Sequence, residues 1–167
     1  GEYGLVIIDG DDPVLKKEFA PVVEQELLTG FSSTEVLKTS EALADRYKIQ
    51  VNPREINLFY LEEGSRRRIV QEGDNFRIHD TDTLFNRSEI LKELEESPEK
   101  FSPNVLLRPL YEEVILPNLA YIGGGGELAY WFQLKSTYEK VNIPMPMLLL
   151  RNSAMWMDNK DQKYFKA

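Results

Sequence analysis

Residues 120–131 read AYIGGGGELAYW: a short apolar run, four consecutive glycines, an acid, then a second apolar and aromatic run. A strand that passes through a glycine turn into a helix can set backbone amides against a phosphate at the helix N-terminus. The reading of this stretch therefore separates a nucleotide-type α/β fold from a simple corner. The Lys-Ser/Thr tail of a P-loop is missing. Gly124-Gly125-Gly126-Glu127-Leu128-Ala129 does match G-x-G-x-x-A. The acid that such a fingerprint places about 20 residues on is replaced here by Leu148-Leu149-Leu150-Arg151. Glu127, in the first helical turn, would repel a phosphate while complementing the helix dipole. A carboxylate beside glycine amides could instead receive an ammonium group. The plain alternative is a tight corner whose glycines take positive φ.

Outward from the glycines, LAYI reads as a strand, Glu127 to Lys140 as a helix and MLLLRN as a second strand. Near the start, Leu5-Val6-Ile7-Ile8 is a continuous apolar run, as expected of a strand buried on both faces. Asp12 followed by Pro13 predicts a helix start, and apolar spacing carries that helix from Val14 to Leu28, stopping at Gly30. Pro21 is expected to kink or divide it. SSTE at 32–35 predicts a capping-box start for a second helix, with Val36, Leu37, Leu43 and Tyr47 on its apolar face. From about residue 50, INLFYLE, SRRRIVQ and NFRIHD alternate with Glu63-Gly64 and Gly73-Asp74, predicting an antiparallel meander. FNRSEILKELEES returns to helix and ends at Pro98, and another helix runs up to Pro117. This order predicts an α/β fold: a partial Rossmann-like open sheet with helices and a small inserted β-meander.

With 167 residues the chain can bury one substantial core. A formal charge of −8 argues against general affinity for nucleic acid or an anionic membrane. No apolar run has the length of a spanning helix and no signal-peptide pattern precedes residue 5. The absence of cysteine excludes disulfides and thiolate chemistry and fits a cytoplasmic setting. Gly1 in place of a methionine, and the polar stretch 158–167 after Trp156, suggest a piece of a longer protein, although a processed tag also explains Gly1.

Several residues invite a chemical role. IIDGDDP resembles the aspartyl-phosphate loop of haloacid-dehalogenase-type phosphatases, but Pro13 stands where a Thr or Val is expected and Asp12 serves better as a cap. His79 is the single histidine, so no metal site is expected. Arg66-Arg67-Arg68 with Arg77 form either an anion-binding surface or a strand edge protected by charge. Ser102-Pro103-Asn104 is expected to be a rigid turn, with Arg108 held outside the α conformation by Pro109. An arginine so placed is a fork for a carboxylate or phosphate. Arg151 falls at the C-terminal end of a strand, where open α/β sheets place ligands. Alternatively, Arg108 and Arg151 pair with local acids such as Glu112 and Glu127.

Together, EYGLVIIDGDDPVLKKEFAPVVEQEL, INLFYLEEGSRRRIVQEGDNFRI, FSPNVLLRPLYEEVILPNLAYIGGGGELAYWFQLK and IPMPMLLLRNSAMWM resemble the middle portion of the bacillithiol biosynthesis cysteine-adding enzymes. The pairing of SPNVLLRP with YIGGGGELAYW is the specific element, and one departure is Gly125, where the family usually has proline. The resemblance implies a ligase that joins the cysteine carboxyl to the amine of glucosaminyl-malate. It also implies residues 1–48 and 100–157 as the later part of a Rossmann-like core and 49–99 as an inserted connecting segment. The core's first half and a dimerising coiled coil would lie outside the chain, so the full-length protein would be a homodimer and the fragment inactive.

Carboxyl activation asks for ATP in the full-length enzyme, with no cofactor expected in the fragment. On chemistry and position, Arg108 and Glu127 are the expected catalytic residues. Ser102, Asn104, Gly123, Gly124, Gly125, Gly126 and Arg151 are expected to bind substrate or nucleotide. Two other classes stay open: an NADP-type oxidoreductase in which Arg151 meets the 2′-phosphate, and a non-catalytic interaction domain with SRRRI as a docking strand.

Overall fold

Asp12 opens the first helix as its sequence requires. In the computed structural model, which describes residues 4–158, its Oδ1 accepts the amides of Val14 (2.8 Å) and Leu15 (3.2 Å). Helix α1 spans Pro13–Thr29 without interruption at Pro21. Gly30 ends it with φ 56° and at once begins α2, Phe31–Leu43. A Cβ at Gly30 would stand 2.9 Å from the Glu55 carbonyl, so both the left-handed backbone and the close approach call for glycine. SSTE does not cap α2. Ser32 already lies in its first turn, and its hydroxyl donates to Glu26 at 2.7 Å instead. Leu37 and Tyr47, expected on the apolar face, are exposed.

The meander forms with the expected turns, Gly64 and Gly73 both taking positive φ. Its strands are β1 (Leu58–Glu62), β2 (Ser65–Glu72), β3 (Asn75–Ile78) and β4 (Leu84–Asn86). A fifth strand, β5 (Phe101–Pro103), pairs antiparallel with β1, giving the order β4-β3-β2-β1-β5. Ser102 is therefore a strand residue opposite Phe59, and the expected Ser-Pro-Asn turn begins only at Asn104. Strand alternation sends Leu58, Tyr60, Ile69, Phe76, Ile78 and Phe101 into the core. There they meet α1 and α3 (Arg87–Glu96), which is closed at its start by a capping box between Asn86 and Glu89. Each fully buried aliphatic side chain here contributes about 1.5–3 kcal/mol.

Beyond β5, α4 (Arg108–Ile115) leads to β6 (Ala120–Gly123). Helix α5 (Gly125–Trp131), a 3₁₀ turn at Phe132–Leu134 and α6 (Lys135–Lys140) then return the chain to β7 (Met147–Leu150). Strands β6 and β7 are parallel, in register from Ala120 opposite Met147 to Gly123 opposite Leu150. This is a β-α-β crossover, and it forms a second sheet separate from the meander. Trp131, fully buried, stacks on Tyr121 at 4.1 Å between ring centres and ties the helix back onto β6.

One expected strand is not there. Residues 5–8 are irregular, Leu5, Val6 and Ile7 are exposed (Ile7 to 88%) and Ile8 is half-buried, and they pair with no strand among the described residues. A run of β-branched residues becomes a buried strand only where neighbours supply both hydrogen bonds and cover. The polar tail beyond Asp158, and Gly1, lie outside the described residues.

Candidate functional site

The glycine turn is built differently from a positive-φ corner. None of Gly123, Gly124, Gly125 and Gly126 has positive φ, and Gly124 is extended at φ −71°, ψ 164°. Space calls for glycine at one of the four and is tight at a second. A Cβ on Gly123 would stand 2.8 Å from Tyr121 Cε1 and 3.1 Å from Leu128 Cδ2, and one on Gly124 would stand 3.3 Å from Arg151 Nη2. Gly125 and Gly126 would meet nothing within 4 Å.

Glu127 answers to its own turn. Its Oε2 accepts the Gly124 amide at 3.0 Å and its Oε1 accepts the Tyr121 hydroxyl at 3.1 Å. The Gly124 hydrogen bond first, then the Tyr121 hydrogen bond and the charges of Arg151 and Arg108, hold its carboxyl below the usual glutamate range. The charge seen from outside the turn is thus partly spent, and an ammonium group would compete with Gly124 for it.

Arg108 is the first residue of α4 and is helical despite Pro109, because proline at the next position sits within the first turn, where its missing amide costs nothing. Its Nη1 donates to Glu112 Oε2 at 3.3 Å, one helical turn on. Burial works against its charge, but the Tyr130 and Tyr121 phenols and the Glu112 carboxylate beside it outweigh that and hold it more firmly protonated. Burial raises the Glu112 carboxyl, opposed by Arg108. Arg151 follows β7 directly, its amide donating to the Gly123 carbonyl at 3.0 Å, and its exposed guanidinium lies over Gly124. Among the described residues it has no hydrogen-bonded acid.

Arg108, Glu127, Arg151 and the four glycines thus gather at the C-terminal edge of β6–β7, joined by Tyr121 and Tyr130. The tyrosines were not expected. Tyr121 could have been found from strand alternation, which puts it on the same face as Gly123. A cleft of about 500 Å³ adjoins the turn, lined by Gly125, Leu128, Phe132 and Leu150 with Tyr47 and Gln50 opposite.

Ser102 and Asn104 are elsewhere. Ser102 Oγ accepts from Arg66 Nε at 3.4 Å. Asn104 donates from Nδ2 to Asn57 Oδ1 at 2.8 Å, and its Oδ1 caps the Leu106 amide at 2.8 Å. Asn57 leads in turn to Glu26, a fully buried carboxylate that takes the Asn57 amide at 2.9 Å and the Ser32 amide at 3.1 Å. This polar network locks α1, α2, β1 and β5 together.

Near the N-terminus, Asp9 accepts the Asp11 amide, Asp11 pairs with the buried Lys16 at 3.3 Å, and Asp12 caps α1. All three acids of the phosphatase-like loop are engaged locally. His79 pairs with Asp80. Among the described residues no three His, Cys, Asp or Glu side chains gather closely enough to hold a metal ion, and no helix is long and apolar enough to cross a membrane.

Residues 1–152 match the family described as bacillithiol biosynthesis BshC, N-terminal Rossmann-like domain. The chain belongs to the BshC family. A Flavobacterium psychrophilum protein named "Putative cysteine ligase BshC" is 54% identical over 163 residues, covering 98% of this chain and 30% of that protein. A Christiangramia forsetii protein of the same name is 55% identical over 96% of the chain, and one from Salinibacter ruber is 39% identical over 96%. The chain spans about 30% of the length of these relatives. Within the family description, the β6-α5-α6-β7 crossover is the recognisably Rossmann-like part, and the five-stranded antiparallel sheet is the element it does not name.

Proposed function

We propose that this chain is part of a ligase that joins the cysteine carboxyl to the amine of glucosaminyl-malate to form bacillithiol. One observation carries the placement of its site: Arg108 and Arg151 flank the glycine turn at the C-terminal edge of a parallel strand pair. That edge is where open α/β sheets receive ligands.

An amide does not form from a free carboxylate and an amine in water without activation. ATP would supply the activating group, as an adenylate or an acyl phosphate. This chain's residues would then bind and orient. Arg151, with no hydrogen-bonded acid among the described residues, offers a planar fork for a phosphate or carboxylate. Arg108, beside Tyr121 and Tyr130, adds a second positive group for charge that develops at the reacting carbonyl. Glu127 acts one step back. By holding the Gly124 amide and the Tyr121 hydroxyl it fixes the turn over which Arg151 lies. The adjoining cleft, largely apolar, suits a ligand body whose charged end reaches the arginines.

The family names of the relatives support the ligase reading, and the geometry supports the placement. The test is turnover. The full-length protein containing this chain should form bacillithiol from cysteine, glucosaminyl-malate and ATP, and the 167-residue chain alone should not. Failure of the full-length protein with all three present would contradict the ligase reading. Turnover by the chain alone would contradict the view that its site is completed by the rest of the protein.

A further inference from the structure

The arginine run Arg66-Arg67-Arg68 does not protect an edge. Strand β2 is the central strand of its sheet, so it has no free edge to protect. Alternation divides the run. Arg67 turns one way and donates to the Asp80 carbonyl at 3.1 Å. Arg66 and Arg68 turn the other way, onto the outer face, where Phe59 lies opposite Arg68.

That face holds a hollow of about 400 Å³ whose lining includes Arg54, Arg66, Arg68, Phe59, Asn104 and Val105. Its parts are set in place. The Arg66 guanidinium lies 3.8 Å from the Phe59 ring centre and donates to the Pro103 carbonyl at 3.1 Å. Arg54 is fixed through its backbone, its carbonyl accepting Asn57 Nδ2 at 2.8 Å and its amide donating to Asn57 Oδ1 at 3.2 Å. Asn57 is held by the buried Glu26 and also holds Asn104. In a chain of formal charge −8, three arginines line one hollow, and among the described residues none forms an ion pair. Glu55 borders the adjacent hollow with Arg54 and Arg68 and pairs with neither. Three like charges repel one another and gain from a shared counter-charge.

We propose that this hollow binds a compact polyvalent oxyanion: the phosphate of a small phosphorylated molecule or the carboxylates of a small dicarboxylate. Arg68 and Arg54 supply free forks, and Arg66 supplies a third positive group already oriented by Phe59 and Pro103. Val105 and Leu106 give the carbon skeleton an apolar wall. The hollow shares no residue with the Arg108–Arg151 turn, so the inference stands apart from the ligase reading.

The test is calorimetric titration of the 167-residue chain at low salt, with inorganic pyrophosphate and, separately, succinate. Saturable binding of at least one is expected, with Kd below about 1 mM. Arg68→Gln and Arg54→Gln should each weaken it about tenfold or more, while Arg77→Gln, outside the hollow and paired with Glu72, should change it less than about twofold. Arg68→Lys keeps the charge and loses the fork; it should weaken binding about threefold or more, and it decides the matter should Arg68→Gln fail to fold. Binding of pyrophosphate alone assigns a phosphate ligand, and binding of succinate alone a dicarboxylate. No saturable binding of either, or an equal loss in Arg77→Gln, overturns the proposal.

Discussion

Glu127 Oε2 accepts the amide of Gly124 at 3.0 Å, so the acid at the mouth of the glycine turn closes the turn itself. The hydrogen bond is stronger to the ionised carboxylate than to the neutral acid, which lowers the folded carboxyl below its ordinary value. A depressed carboxyl contributes stability above its unfolded value and loses it as pH falls through the folded one. In an NMR titration the Glu127 carboxyl should show a midpoint below that of an ordinary glutamate. The Glu127→Gln chain should have a lower Tm at neutral pH and a smaller loss of Tm on acidification. An ordinary or raised midpoint would contradict the turn-closing role.

Glu26 should behave in the opposite sense. Burial raises its carboxyl, against the hydrogen bonds from Ser32 and Asn57. The cost of its buried charge is present above the folded value and disappears as pH falls through it toward the unfolded value, so this group favours folding on mild acidification. Removing it leaves the Asn57 and Ser32 amides unpaired in the interior. Glu26→Ala should cost about 3 kcal/mol in urea unfolding. A loss within experimental error would show that the network does not hold the helices to the sheet.

The four glycines should separate into two kinds. Gly123→Ala drives a methyl into the Tyr121 ring and Leu128 and should destabilise by about 1–3 kcal/mol. Gly126→Ala, in open space within α5, should stabilise by about 0.5–1 kcal/mol. Gly125→Pro places a proline at the first helical position and should stabilise by about 0.4–1 kcal/mol. Denaturant midpoints of the three variants measure this, and equal losses in all three would contradict the packing described.

What could be seen in the sequence was local. Asp12, the Gly64 and Gly73 turns, and the strand-glycine-helix order around Gly124 act through neighbours a few residues away, and they form as expected. What could not be seen was long-range. The position of Ser102 opposite Phe59 depends on pairing across 42 residues of intervening chain. The Glu26–Asn57–Asn104 network joins elements far apart in sequence, each polar residue being unremarkable alone. Arg66-Arg67-Arg68 reads as an edge only until β3 and β1 are known to flank it. Leu5–Ile8 has the composition of a buried strand, but composition cannot supply the neighbours. At the site, Arg108, Glu127 and Arg151 were each legible from helix and strand ends, whereas Tyr121 and Tyr130 act by contact.

The placement proposed for the ligase site rests on Arg151 lying over Gly124 beside Arg108. Its most direct test is the rate of bacillithiol formation by the full-length protein carrying Arg151→Gln or Arg108→Gln, with folding checked by circular dichroism. Each variant should lose about 100-fold or more in kcat/KM, as expected for a charged group that meets the reacting anion. Wild-type rates in both folded variants would contradict a site at the β6–β7 edge.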